Sequence, residues 1–134
     1  MRARERSMRY LRGLGMRVDL AERWIPQARQ RKDLFGFADL VALSMSHDRE
    51  DGQIVAIQCV NTHLEDHIRK IAALDAAKDW CAAHGGIEIH NWVKRCSAGR
   101  GTRKVWLLER IELNPCNPEC ALKYVAKLRG KVAA

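Results

Sequence analysis

Arg31-Lys-Asp-Leu-Phe-Gly-Phe-Ala-Asp-Leu-Val-Ala-Leu43 and, after a polar interval, Ile54-Val-Ala-Ile-Gln-Cys-Val60 hold the residues on which the fold turns. The run from Phe37 is apolar and lacks helix caps, so it reads as a buried strand at about 37–45. The second run is rich in β-branched residues and reads as the next strand. His47-Asp-Arg-Glu-Asp-Gly52 between them is turn chemistry, with Gly52 suited to positive φ, so the pair is expected to form a hairpin. Each strand is interrupted once by a polar side chain, Asp39 in the first and Gln58 in the second. A turn centred between residues 48 and 49 sets Asp39 opposite Gln58 on one side of the sheet. A buried carboxylate is costly unless it is paired or holds a metal, so Asp39 needs a partner.

Upstream, Val18, Leu20 and Glu22 alternate with Asp19, Ala21 and Arg23, a strand pattern that Pro26 ends. A basic loop over 28–32, Ala28-Arg-Gln-Arg-Lys32, follows and carries Arg29, Arg31 and Lys32. If this connection is centred between residues 30 and 31, Glu22 faces Asp39, and Glu22, Asp39 and Gln58 form one row across three strands. Mg²⁺ and Mn²⁺ favour such oxygen ligands, completed by water and substrate phosphate. Asp39 and Gln58 are the expected metal pair, with Glu22 in support. The competing structural reading has Asp39 and Gln58 bonding loop backbone.

Outward from this centre, residues 2–13 form an Arg-rich helix with Met8 and Leu11 on one face, ending near Gly13 and Gly15. Ile68, Ile71, Leu74, Ala77 and Cys81 predict one long helix from about Leu64 to His84, closed by Gly85-Gly86. Ile87, Ile89 and Asn91 mark a strand with Lys94 and Arg95 at its end. Ser97-Ala-Gly-Arg-Gly is a turn, Val105 to Ile111 alternate in a final strand, and Asn117-Pro118 opens a short helix. The order α-β-β-β-α-β-β-α implies an α/β (α+β) fold around one mixed sheet, and residues 1–134 suit a single domain.

Hydrophobic residues make up 47% of the 134, which argues against disorder. No apolar run approaches the roughly 18 residues of a membrane span, and no apolar stretch follows the basic N-terminus as a secretory signal requires. A cytoplasmic location without membrane contact is expected. The formal charge of +8, from 24 Lys and Arg against 16 Asp and Glu, fits a polyanionic partner. It concentrates in Arg2, Arg4, Arg6, Arg9, Arg12 and Arg17, and again in Lys94, Arg95, Arg100, Arg103 and Lys104. Five irregularly spaced cysteines do not make a disulfide framework. Cys59 and Cys81 read as core thiols, and Cys116 and Cys120 lack the further ligands a zinc knuckle needs.

The two opening segments, continued through Asn61 to Lys70-Ile71, resemble PD-(D/E)XK nuclease proteins of phages and mobile elements, in plan similar to the Holliday-junction-resolvase and VRR-NUC-like branches. The resemblance spans roughly residues 5–110 and implies a restriction-endonuclease-like mixed sheet. It implies a Mg²⁺- or Mn²⁺-dependent DNA endonuclease that hydrolyses phosphodiester bonds, acts on branched DNA and works as a homodimer. Asp39 matches the family's aspartate, Gln58 stands at the second acid, and Val60 stands at the lysine two residues on. Some members move that lysine to the following helix, where Lys70 is available. Glu22, or Glu5 in the first helix, would give the supplementary acid of resolvase-like members.

The expected DNA contacts are the basic residues of loop 28–32 (Arg29, Arg31 and Lys32), His63, Trp92, Lys94, Arg95, Arg103 and Lys104, with Trp92 stacking on a base or sugar. Trp80 and Trp106 are expected in the core, and Trp24 over a sheet edge. His63 and His67 share a helical face but lack a third zinc ligand. Two other readings stay open: a degenerate nuclease fold that binds DNA without cutting, and an interaction module of a phage or mobile element whose charge is incidental.

Overall fold

The computed structural model describes residues 1–44, 53–96 and 104–113, and the backbone of 131–133. The expected turns at 47–52 and 97–101, the helix from Asn117, Arg103, Cys116 and Cys120 lie outside the described residues. In chain order the elements are α1 (Ala3–Gly13), β1 (Arg17–Leu20), β2 (Arg23–Ile25), β3 (Gln30–Lys32), β4 (Leu40–Ser44) and β5 (Gln53–Val60), then α2 (Leu64–Ala73), α3 (Asp75–Ala82), β6 (Gly86–Cys96), β7 (Lys104–Leu113) and β8 (Lys131–Ala133).

The sheet is mixed, with strand order β1-β4-β5-β6-β7, and β8 adds to the free edge of β7. Neighbours are antiparallel except β5 and β6. A parallel pair needs a crossover long enough to return the chain to the same end, and α2 and α3 supply it. Side chains alternate between the two faces, and each face is covered by helix. On one, Met8 and Leu11 of α1 pack on Val18, Leu40, Ala42, Val55 and Ile57. On the other, Ile68 and Ile71 of α2 and Ala77 of α3 pack on Ala56, Val60, Ile87, Ile89 and Ile111. The result is three layers with the sheet in the middle.

Several expected boundaries move. The single helix from Leu64 to His84 is two, because Leu74 is extended (φ −81°, ψ 127°). The spacing explains the break. Ile68, Ile71, Leu74 and Ala77 recur strictly every third residue, and each step of three rotates roughly 60° backwards around a helix. A continuous helix would carry Ala77 to the side opposite Ile68, and the break re-aims α3 so that both are buried. The helix pair ends where Gly85 N–H donates to Trp80 O at 2.9 Å and the Trp80 Nε1–H donates to Gly86 O at 2.8 Å. The indole lies so close that a Cβ on Gly85 would collide with it. The strand expected over 18–23 stops at Leu20, and the chain leaves the sheet to form a separate antiparallel hairpin, β2–β3. The strand expected from residue 37 begins at Leu40, because residues 34–38 form a tight loop closed by Leu34 and Ala38.

Candidate metal centre

The β4–β5 register pairs Leu40 with Ile57 and Ser44 with Gln53, so one step earlier Asp39 faces Gln58. Asp39 N–H donates to Ile57 O at 2.9 Å. The Asp39 carboxylate accepts two hydrogen bonds at one oxygen, Oδ2, from Gln58 Nε2 and from the Cys59 N–H, each 2.9 Å. Gln58 lies near the C-terminal end of β5, on the α2–α3 side of the sheet and in register with Ile89 and Ile111, and Asp39 meets it just before β4 begins. The next row, Val60, Asn91 and Glu109, is also buried, so the sheet turns polar towards this end.

The second expected register is off by one residue. Leu20 pairs with Leu40, and Ala21 N–H donates to Asp39 O at 2.8 Å, so Ala21 rather than Glu22 faces Asp39. Strand alternation would then send Glu22 away. It does not, because β1 has already ended and the chain is turning into β2. Glu22 instead brings its carboxylate back to Asp39 from beyond the strand.

Sequence reasoning missed a third acid. Asp33 follows β3 and precedes the loop 34–38, which turns through two positive-φ residues, Phe35 (54°) and Gly36 (81°). Leu34 and Ala38 exchange backbone hydrogen bonds of 2.9 and 3.0 Å across that loop. Folding back in this way returns Asp33 to Asp39, six positions along the chain. One carboxylate oxygen each from Glu22, Asp33 and Asp39 then lies within 4.8 Å of the others.

Charge at this group is strongly perturbed. Burial pushes the Asp39 carboxyl up from 3.8 to about 7, and a hydrogen bond and like charge from Asp33 add to the rise. The Cys59 N–H and the Arg4 guanidinium pull the other way without cancelling it. Two arginines reach Glu22: Arg4 from α1 in a direct ion pair and Arg31 from β3, Nη1 to Oε1 at 3.1 Å. Glu5 is not part of the group; it is exposed and accepts from the Arg2 N–H at 3.0 Å. Arg4, rather than Lys70, is the cation whose charge reaches Asp39. Lys70 is exposed in the last turn of α2, and Val60 is buried among apolar residues.

The three acids offer oxygen atoms within shared reach, the donor type that a hard divalent cation takes, and Arg4 and Arg31 offset part of their charge at Glu22. Among the described residues no other cluster of three His, Cys, Asp or Glu side chains has this geometry, so His63 and His67 join none. A cleft of about 540 Å³ lined by Arg23, Lys32 and Asp33 opens beside the acids.

The remaining expected contacts divide. Arg29 lies in the turn of the β2–β3 hairpin, in the left-handed region (φ 48°), and Arg31 and Lys32 lie on its return strand; all three are exposed. His63 is exposed and left-handed at the start of α2 (φ 56°), with Nδ1 3.9 Å from Asp66. Lys94, Arg95 and Lys104 lie on the far part of the β6–β7 ladder, where Arg95 Nη2 is 3.9 Å from Glu109. Trp92 does not stack on a ligand. It is fully buried, and its Nε1–H donates to Ser7 Oγ at 2.9 Å. Trp106, which pairs with Lys94 across the strands, is the partly exposed indole of this region. Trp24 is 55% exposed on β2 rather than covering an edge.

Comparison with protein-family models, with curated proteins and with solved structures returned no match. Among the described residues, no helix is long and apolar enough to cross a membrane.

Proposed function

We propose that the chain is a metal-dependent endonuclease of the PD-(D/E)XK type that hydrolyses DNA phosphodiester bonds. The observation that carries this reading is the convergence of Glu22, Asp33 and Asp39 at the end of a mixed sheet. The path α1-β1-β4-β5, a helical crossover and then parallel β6 supports a restriction-endonuclease-like plan. Glu22, Asp33 and Asp39 would hold Mg²⁺ or Mn²⁺, with the Gln58 amide steadying Asp39 and adding a neutral oxygen donor. When bound, the ion supplies Lewis acidity towards phosphate and acidifies water.

The chain's own groups account for the rest. Arg4 and Arg31 form a cationic border on which a phosphate fits, and they exchange Glu22 for substrate without leaving the site. Asp39, held towards neutrality by burial while metal-free, would release its proton on taking the cation. Arg23, Arg29 and Lys32, exposed on the β2–β3 hairpin, extend the positive rim along a backbone. Because two strands of a junction are symmetric, a homodimer suits a branched substrate.

A second reading has its own observation. The position two residues after Gln58 is Val60, 4% exposed in the core, so no lysine stands there. A fold that binds DNA without cutting accommodates this. Incubating the protein with junction, flap and linear DNA in Mn²⁺ separates the two readings. Cleavage that falls at least ~100-fold in Asp39→Ala and Asp33→Asn, with binding retained, supports the nuclease. Intact DNA of every form with wild-type protein supports the binding fold.

A further inference from the structure

Away from the carboxylates, along the β6–β7 ladder, lies a second cationic feature that the nuclease reading leaves unused. Strand alternation places Lys94 and Trp106 on the α1 side, opposite to Gln58. The Arg6 guanidinium carbon sits 3.8 Å from the centroid of the Trp106 ring, and the Lys94 ammonium sits 5.2 Å from it. An arginine stacked at this distance uses its flat face on the indole and keeps its in-plane N–H donors free. Such donors match two phosphate oxygens at once.

The rest of α1 is arranged consistently. Arg4 is paired with Glu22, and Arg12 donates to Val18 O. Arg2, Arg6 and Arg9, at helical spacings of four and three, form a separate stripe. Among the described residues no carboxylate lies within ion-pair distance of Arg6, Arg9 or Lys94. Arg6, Arg9, Tyr10 and Trp106 line a groove of about 570 Å³ between α1 and β7. Unpaired cations set on an aromatic platform beside a groove, in a chain of charge +8, complement a polyanion.

We infer that Arg6, Trp106 and Lys94, flanked by Arg2 and Arg9, form a second binding site, separate from the acids, that takes the phosphate backbone of a nucleic acid. The site is independent of catalysis and holds whether or not the chain cuts. In substrate terms, α1 reaches both places, Arg4 at the acids and Arg6 at the platform, so a nucleic acid held at both is gripped across the helix.

The test is salt-dependent affinity for a 5′-labelled duplex in EDTA, where cleavage plays no part, with folding checked by circular dichroism. Removing two phosphate contacts with Arg6→Gln/Lys94→Gln lowers the log–log salt slope by about 1.8. Trp106→Leu keeps the charges and the slope but weakens binding roughly two- to fivefold through loss of the stack. Arg69→Gln/Lys78→Gln, exposed on α2 and α3, makes the same charge change and leaves the slope unaltered. An unchanged slope in the Arg6/Lys94 pair overturns the inference, as does an equal drop in the control pair. It is also overturned by phosphatidylserine vesicles that bind the wild type while the duplex does not.

Discussion

Two polar groups lie beside β5 and β6, and they are built on opposite principles. On the α1 side, Ser7, His90 and Trp92 are fully buried and neutral: Ser7 Oγ takes the Trp92 Nε1–H and bonds His90 Nδ1, each at 2.9 Å, and Tyr10 packs edge-on against the imidazole. Burial, with the Arg110 charge adding to it, drives the His90 pKa from 6.5 down to about 3, so the ring stays uncharged. Beside Gln58, three carboxylates crowd together and Asp39 is pushed up to about 7. The first group is settled by its own hydrogen bonds, apart from His90 Nε2, which has no partner among the described residues. The second is settled only by protons, arginines or a cation from outside. Interior polarity that the chain satisfies by itself is a device of folding, whereas crowded like charge points to a ligand.

Stability measurements sharpen this contrast most strongly on the neutral side. Trp92→Ala removes the largest buried side chain of that region and should cost about 3–5 kcal/mol in urea unfolding. Ser7→Ala strands the Trp92 N–H and one His90 nitrogen, and should cost about 1–3 kcal/mol. Asp39→Asn should act in the opposite direction. It relieves the repulsion with Asp33 and raises stability at pH 8 by on the order of 1 kcal/mol. A loss of stability in Asp39→Asn comparable to that in Ser7→Ala would erase the difference between the regions.

The smallest effect is the pH dependence, and its two parts have opposite signs. His90 has a folded pKa below its ordinary 6.5, so the unfolded chain binds its proton more readily and stability falls as pH drops from 6.5 towards 3. Asp39 has a folded pKa above 3.8, so its contribution is complete below that value and is lost as pH rises through 7. Melting temperatures of the metal-free wild type should therefore change little between about pH 4 and 6.5, where the two parts offset each other, and level off above pH 7. Asp39→Asn should unmask the His90 part, so that stability rises steadily from about pH 4 to 6.5. A profile in Asp39→Asn as flat as that of the wild type assigns the acid-side behaviour to other groups.

The sequence was most legible where local pattern and global register agree. Asp39 and Gln58 each interrupt an apolar run of the sequence, and one hairpin centre gave the β4–β5 register that brings them together. Glu22 was chosen for a pairing that does not exist, since β1 ends at Leu20, yet its carboxylate reaches the same group. Asp33 was not legible from alternation because it lies on no sheet strand. Its signal was the positive-φ glycine at Gly36 in a run otherwise too apolar for a loop, which folds residues 34–38 back on themselves. Trp92 and Trp106 were exchanged because both carry nearby cations in sequence, and only the cross-strand pairing of Trp106 with Lys94 shows which indole faces outward.

The most direct measurement is an anomalous-difference map from crystals soaked in Mn²⁺ at pH 8, compared with Asp33→Asn crystals treated alike. A peak within bonding distance of Glu22, Asp33 and Asp39, weakened or lost in the variant, is the predicted result. A map with no peak among these carboxylates, or with manganese held at His63 and His67 instead, would contradict the claim that the crowded acids are built around a cation.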